Sequence, residues 1–141
     1  MQINGTRSVL AAIALSAFLA AGLPAAAETV NMKAELKATN QVPPNASTGI
    51  GTVTVTYDTV SKKLTWKGSV SALTGNATAQ HFHGPAEAGK NAGVVVPIPN
   101  LTEGEATLTD VQAADLLGGR WYVNVHTAAN PGGEIRGQVV K

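Results

Sequence analysis

The stretch Ala79–Gly89, AQHFHGPAEAG, holds two of the three histidines in this 141-residue chain, His81 and His83. The third, His126, stands in RWYVNVHT. Imidazole has a reference pKa of about 6.5, so it is largely neutral at pH 7 and free to bind copper, zinc or nickel. Residues i and i+2 of a β-strand point to one face, roughly 6.5–7 Å apart along the backbone. Two imidazoles so placed can converge on one ion with metal–nitrogen bonds near ~2.0–2.1 Å. The same pair also fits two solvated surface histidines. A third imidazole at the same place is what separates the two readings.

Other chemistries find less support. There is no nucleophile elbow and no recognisable Ser-His-Asp context. The chain has no cysteine, which excludes disulfides, thiolate catalysis and iron–sulfur clusters. Glu87 and Glu134 fall in expected loops, where a carboxylate can bind a metal or accept a ring N–H. Glu87 reads more simply as a solvated loop residue. Gly132-Gly133 and the glycine of Asn91-Ala-Gly93 are turn glycines, not a phosphate cradle, and Trp66 and Trp121 read as core.

The elements that must position the histidines follow from alternation. Val30, Met32, Ala34 and Leu36 alternate with Asn31, Lys33, Glu35 and Lys37, the pattern of a half-buried strand. Val53, Val55 and Tyr57 alternate with threonines, and a loop over 58–62 leads to Leu64, Trp66, Gly68 and Val70, predicting a hairpin. Ala77–His83 is a strand stopped by Gly84-Pro85. Val94–Ile98, with Pro97, is a short strand at an edge or a strand end. Glu105–Leu108 is another short strand. Thr109 and Gln112 form a capping box for a two-turn helix whose buried face is expected to carry Val111, Ala114 and Leu117, ended by Gly118-Gly119. Trp121–Thr127 is a strand with His126 opposite Val123 and Val125. After the turn Asn130–Gly133, Ile135–Val139 returns against it. The fold class is all-β: an antiparallel Greek-key β-sandwich of about seven or eight strands, immunoglobulin-like or superoxide-dismutase-like, with one short helix.

Residues 1–27 read as a cleaved signal peptide. Arg7 supplies the positive start, Val9–Leu23 the apolar stretch, and Ala25-Ala26-Ala27 the small-residue cleavage site. Residues 28–141 then form one domain, periplasmic or secreted by a bacterial-type route. Without Arg7 that domain carries nine basic and nine acidic residues. A near-neutral chain with no basic stripe gives no case for nucleic acid. No second apolar segment suggests a membrane span in the mature chain.

The stretches QHFHGPAEAG, ATLTDVQAADLLGGRWYVNVHT and NPGGEIRGQV, with VPP at Val42–Pro44, resemble the CHRD family, named after chordin and common in exported bacterial proteins. They occur in the family's order along nearly the whole mature chain. In chordin the domain belongs to a growth-factor inhibitor, so the resemblance implies little about chemistry and leaves an extracytoplasmic protein-interaction module as one reading.

Gly68–His83, GSVSALTGNATAQHFH, is also distantly similar to the first copper-ligand strand of copper/zinc superoxide dismutases. That similarity extends to Val123-Asn-Val-His126 and the strand after it. It implies that His81, His83 and His126 match three of four copper ligands. The bridging histidine, the zinc histidines and the disulfide of those enzymes have no counterpart, and Arg136 is offset from their anion-guiding arginine. The combined expectation is one metal ion, copper before zinc, in an open three-histidine site. Storage, transfer and dismutase catalysis remain alternatives.

Overall fold

The computed structural model describes residues 26–141. The expected leader lies almost wholly outside the described residues. Eight strands form one antiparallel sheet: β1 (Thr29–Lys37), β2 (Ile50–Asp58), β3 (Lys63–Ser71), β4 (Ala77–His83), β5 (Val94–Pro97), β6 (Gly104–Thr107), β7 (Tyr122–Thr127) and β8 (Ile135–Gln138). A single 3-10 turn follows β1 at Ala38–Asn40, and the helix α1 (Asp110–Leu117) joins β6 to β7.

The strand order is β5-β4-β7-β8-β1-β2-β3-β6, which is two four-stranded halves joined at β8–β1. The join is slender. It consists of Lys37 opposite Arg136 and an isolated bridge from Lys33 to Val140. The all-β sandwich read from alternation is therefore present as one nearly closed sheet. The chain crosses between the halves at β3–β4, β5–β6 and β6–β7. No helix among the described residues is long and apolar enough to cross a membrane.

Alternation explains the core. Met32, Ala34 and Leu36 of β1, Val53, Val55 and Tyr57 of β2, and Leu64 and Trp66 of β3 are buried. Their neighbours of opposite parity are largely exposed or half-buried. From the other half, Phe82, Val123, Val125 and Ile135 point into the same core. Phe82 packs edge-on to Trp66, with ring centroids 5.6 Å apart, and lies 5.8 Å from Trp121. This anchoring sets β4. Phe82 sits between His81 and His83, so burying it forces both histidines to the outer face. A one-residue slip would expose Phe82 and bury the imidazoles.

The capping box is present: Thr109 Oγ1 accepts from the Gln112 amide, and Gln112 Oε1 accepts from the Thr109 amide. Gly119 takes the left-handed conformation that ends the helix, φ 72°. The buried face differs from the one expected. Ala113 and Leu116 are buried, Ala114 is exposed, and Val111 is 72% exposed. Ala113 and Leu116 join the core and Leu117 packs against it half-buried, so tertiary packing overrides the spacing of the apolar residues. Prolines do place β5 at an edge, as the sequence suggests.

Glu134 is fully buried, and its carboxylate accepts hydrogen bonds from four donors. Ser47 Oγ donates to Oε1 at 2.5 Å, as does the Thr74 amide at 2.8 Å. The Thr74 and Thr127 hydroxyls donate to Oε2 at 2.6 Å each. Burial alone would raise its pKa. The hydrogen bonds from Ser47, Thr127 and Thr74 outweigh that and hold the carboxyl at about 2. A depressed folded pKa means stability that is full above the unfolded value, about 4.3, and is lost as pH falls toward 2. Acid titration of the protein should therefore show a stability loss across that window. In Glu134→Gln the loss should be smaller, with the remainder including Asp58, whose pKa is also lowered, and the starting stability should fall by about 1–3 kcal/mol from the broken charged hydrogen bonds. Urea melts at pH 7, 4 and 3 check both.

Candidate metal centre

β4 and β7 are hydrogen-bonded neighbours, with His81 opposite Asn124, His83 opposite Tyr122, and Ala79 opposite His126. Ala79, His81 and His83 share parity on β4, and Tyr122, Asn124 and His126 share it on β7. All six therefore lie on the outer face, away from Val123 and Val125. β7 lies between β4 and β8, and Arg136 and Gln138 continue the same face on β8.

The three imidazoles meet there. One nitrogen from each lies within 4.8 Å of the others. His81 Nδ1 is 3.3 Å from His126 Nε2. Ring centroids are 5.1 Å apart for His81–His126, 5.5 Å for His81–His83 and 6.5 Å for His83–His126. Bonds of ~2.0–2.1 Å at trigonal or tetrahedral angles place ligand nitrogens roughly 3.3–3.6 Å apart. His81 and His126 already stand at that separation.

Backbone carbonyls fix two of the tautomers. His83 Nδ1–H donates to Ala92 O at 2.9 Å, and His126 Nδ1–H donates to Pro131 O at 2.9 Å. For His83 this bond leaves Nε2 with its lone pair, while His126 Nε2 faces both His81 Nδ1 and the Asn124 side-chain amide. His83 Nε2 is buried and has no hydrogen-bond partner among the described residues. An orphaned imidazole nitrogen beside two others is the feature a cation would satisfy. In the His81–His126 contact, two nitrogens share one proton. A cation in place of that proton would engage both lone pairs.

The surroundings of His81 and His83 favour their neutral forms. His81 has a lowered pKa, first from burial and then from the charged forms of His126 and His83. His83 is lowered first by burial, with His126 and Arg136 adding to it, and these outweigh the opposing Ala92 carbonyl and Asn124 side chain. Both shifts favour the form that binds metal.

Loops complete the site. Tyr122 Oη donates to Ala92 O at 3.2 Å and accepts from Ala92 N at 3.1 Å. Gln138 Nε2 donates to Ala86 O at 2.8 Å, and Gly84 N to Gly93 O at 3.2 Å. The segment after β4 is thus fastened over the histidine face. The turn after β7 supplies Pro131 O in the same way.

Glu134 does not join the histidines, because its oxygens are committed to Ser47, Thr74 and Thr127. Glu87 is exposed. The three histidines singled out in the sequence lie close together in the structure. Sequence reasoning missed Tyr122 and Asn124, whose parity with His126 was available, and the Ala92 and Pro131 carbonyls, which carry no side-chain signal. The Asn124 amide oxygen lies 3.1 Å from His126 Nε2.

Fold and site together define an antiparallel β-sandwich that carries a three-histidine cluster on its outer face. The CHRD domain model matches residues 32–139, and the chain belongs to the CHRD domain family. No curated protein and no solved structure matches the chain significantly.

Proposed function

We propose that this is an exported CHRD-domain protein that holds one copper ion through His81, His83 and His126. The observation that carries the reading is the cluster itself. Three imidazoles converge within 4.8 Å, and the most buried of them presents an unpartnered Nε2. The donor set is nitrogen only. No carboxylate or cysteine joins the cluster among the described residues. Such a set suits copper, with zinc second, and disfavours magnesium, calcium and manganese. Three protein ligands leave a position open for a fourth. The leader-like residues 1–27 support export to the periplasm or the exterior.

Metal analysis of protein purified from the periplasm tests this directly. One copper per chain is expected, and none in His81→Ala. A folded protein free of copper and zinc after loading would leave the interaction-module reading in its place.

Weak or absent superoxide dismutase activity is also proposed. Steering of an anion needs positive charge presented to solvent. Arg136, the late arginine of the dismutase-like stretch, is only 2% exposed. A superoxide assay on copper-loaded protein beside free copper and His126→Ala checks it. Turnover far above free copper, lost in His126→Ala and reduced by salt, would reverse this reading.

A further inference from the structure

Arg136 is buried, yet no carboxylate among the described residues lies within 4.0 Å of it. Its guanidinium donates to neutral acceptors, Asn91 Oδ1 at 3.0 Å and Lys90 O at 2.6 Å. Its Cζ lies 3.4 Å from the centroid of the Tyr122 ring. From the β4 side, the His83 ring stacks on Tyr122 with centroids 4.8 Å apart and planes 3° from parallel. β7 separates β4 from β8, so Tyr122 stands between the guanidinium and a ligand imidazole. The two contacts together keep the charge within about 8 Å of the His83 ring.

A guanidinium remains protonated at any working pH. Sites for divalent ions commonly include an anionic ligand that offsets the metal charge. Here the ligands are neutral, and a buried positive charge stands one ring away from His83. The other fully buried charge, Glu134, has both oxygens occupied by hydroxyl and amide donors.

Resting on the metal reading above, we propose that Arg136 makes the three-histidine site selective for monovalent copper, Cu(I), over the divalent ions Cu(II) and Zn(II). Each added unit of metal charge meets the repulsion of a partly desolvated guanidinium. At an effective dielectric near 20 and about 8–10 Å, that repulsion is worth on the order of tenfold in affinity per unit charge. Arg136 touches no ligand nitrogen, so its role is to set the charge preference of the site.

The test is the reduction potential of bound copper, with Cu(I), Cu(II) and Zn(II) affinities measured by chelator competition on the mature protein. A site that binds Cu(I) more tightly than Cu(II) has a potential above that of the aqueous copper couple, and this is expected for the wild type. Arg136→Gln should lower the potential by about 60 mV, the one-electron equivalent of a tenfold change. Arg136→Lys keeps the charge without the planar fork and should stay near the wild-type value. A wild-type potential below the aqueous couple overturns the proposal without any variant, which keeps it testable if Arg136→Gln does not fold. Equal shifts in Arg136→Gln and Arg136→Lys also overturn it, because loop anchoring and not charge would then be the cause. A wild-type protein that binds none of the three ions removes the metal reading itself. Tight binding with no Cu(I) preference removes only the selectivity.

Discussion

Replacing His126 by alanine is expected to lower copper affinity by more than about 100-fold, since even partners that only orient a ligand typically cost 10–100-fold. His126 is the one ligand from β7, and its Nε2 stands 3.3 Å from His81 Nδ1. Without it, His81 and His83 are two ligands on a single strand, and the ion has no third nitrogen. The metal-free fold should change little. The His126 ring is half-buried, and its ring hydrogen bond within the backbone is to Pro131 O. Thermal melts with and without copper separate the two effects. Wild-type protein should gain stability with copper by mass action, and His126→Ala should gain almost none.

Proton competition gives this prediction a pH arm. Burial lowers the pKa values of His81 and His83, so protons displace metal from them only below the ordinary histidine range. Copper affinity should therefore hold through pH 6.5 and fall at lower pH. Chelator competition across pH 5–8 reads it out.

Gly137→Ala is expected to destabilise the fold by about 2–3 kcal/mol, in the upper range for overpacking a close contact. A methyl built at Gly137 would lie 2.7 Å from the carbonyl carbon and 3.1 Å from the nitrogen of Glu35, and closer still to its oxygen. These are backbone atoms of β1, which cannot rotate aside as a side-chain tip can. The strain falls on the seam where β8 meets β1, and that seam has only the Lys37–Arg136 pair and the Lys33–Val140 bridge. Opening it would also move Arg136. Urea denaturation should show the lowered midpoint. Amide exchange should show Val140 N, which donates to Lys33 O at 2.9 Å, losing protection first. A variant as stable as the wild type would mean the two halves can separate freely at this point.

Much of this was legible in the chain itself. Val53, Val55 and Tyr57 alternating with threonines specify a half-buried strand, because side chains on a pleat reverse direction at each residue. The same local rule put His81 and His83 on one face and His126 opposite Val123. Thr109 and Gln112 specified the helix start, since both halves of a capping box lie within one turn. The family was legible for a related reason: its motifs run in order along the primary structure.

What the sequence could not determine depends on contacts between distant residues. Val111, Ala114 and Leu117 share a helical face, but the core buries Ala113 and Leu116, and of the expected three only Leu117 packs against it, half-buried. Glu134 reads as a loop carboxylate, and only folding brings Ser47, Thr74 and Thr127 around it. Parity placed each histidine on a face of its own strand. It took the pairing of β4 with β7 to make that one face, and the burial of Phe82 between Trp66 and Trp121 to hold the register. Alternation is a property of neighbouring residues, fixed by backbone geometry. Convergence is decided by which strands pair, and that follows from how the whole apolar surface is buried.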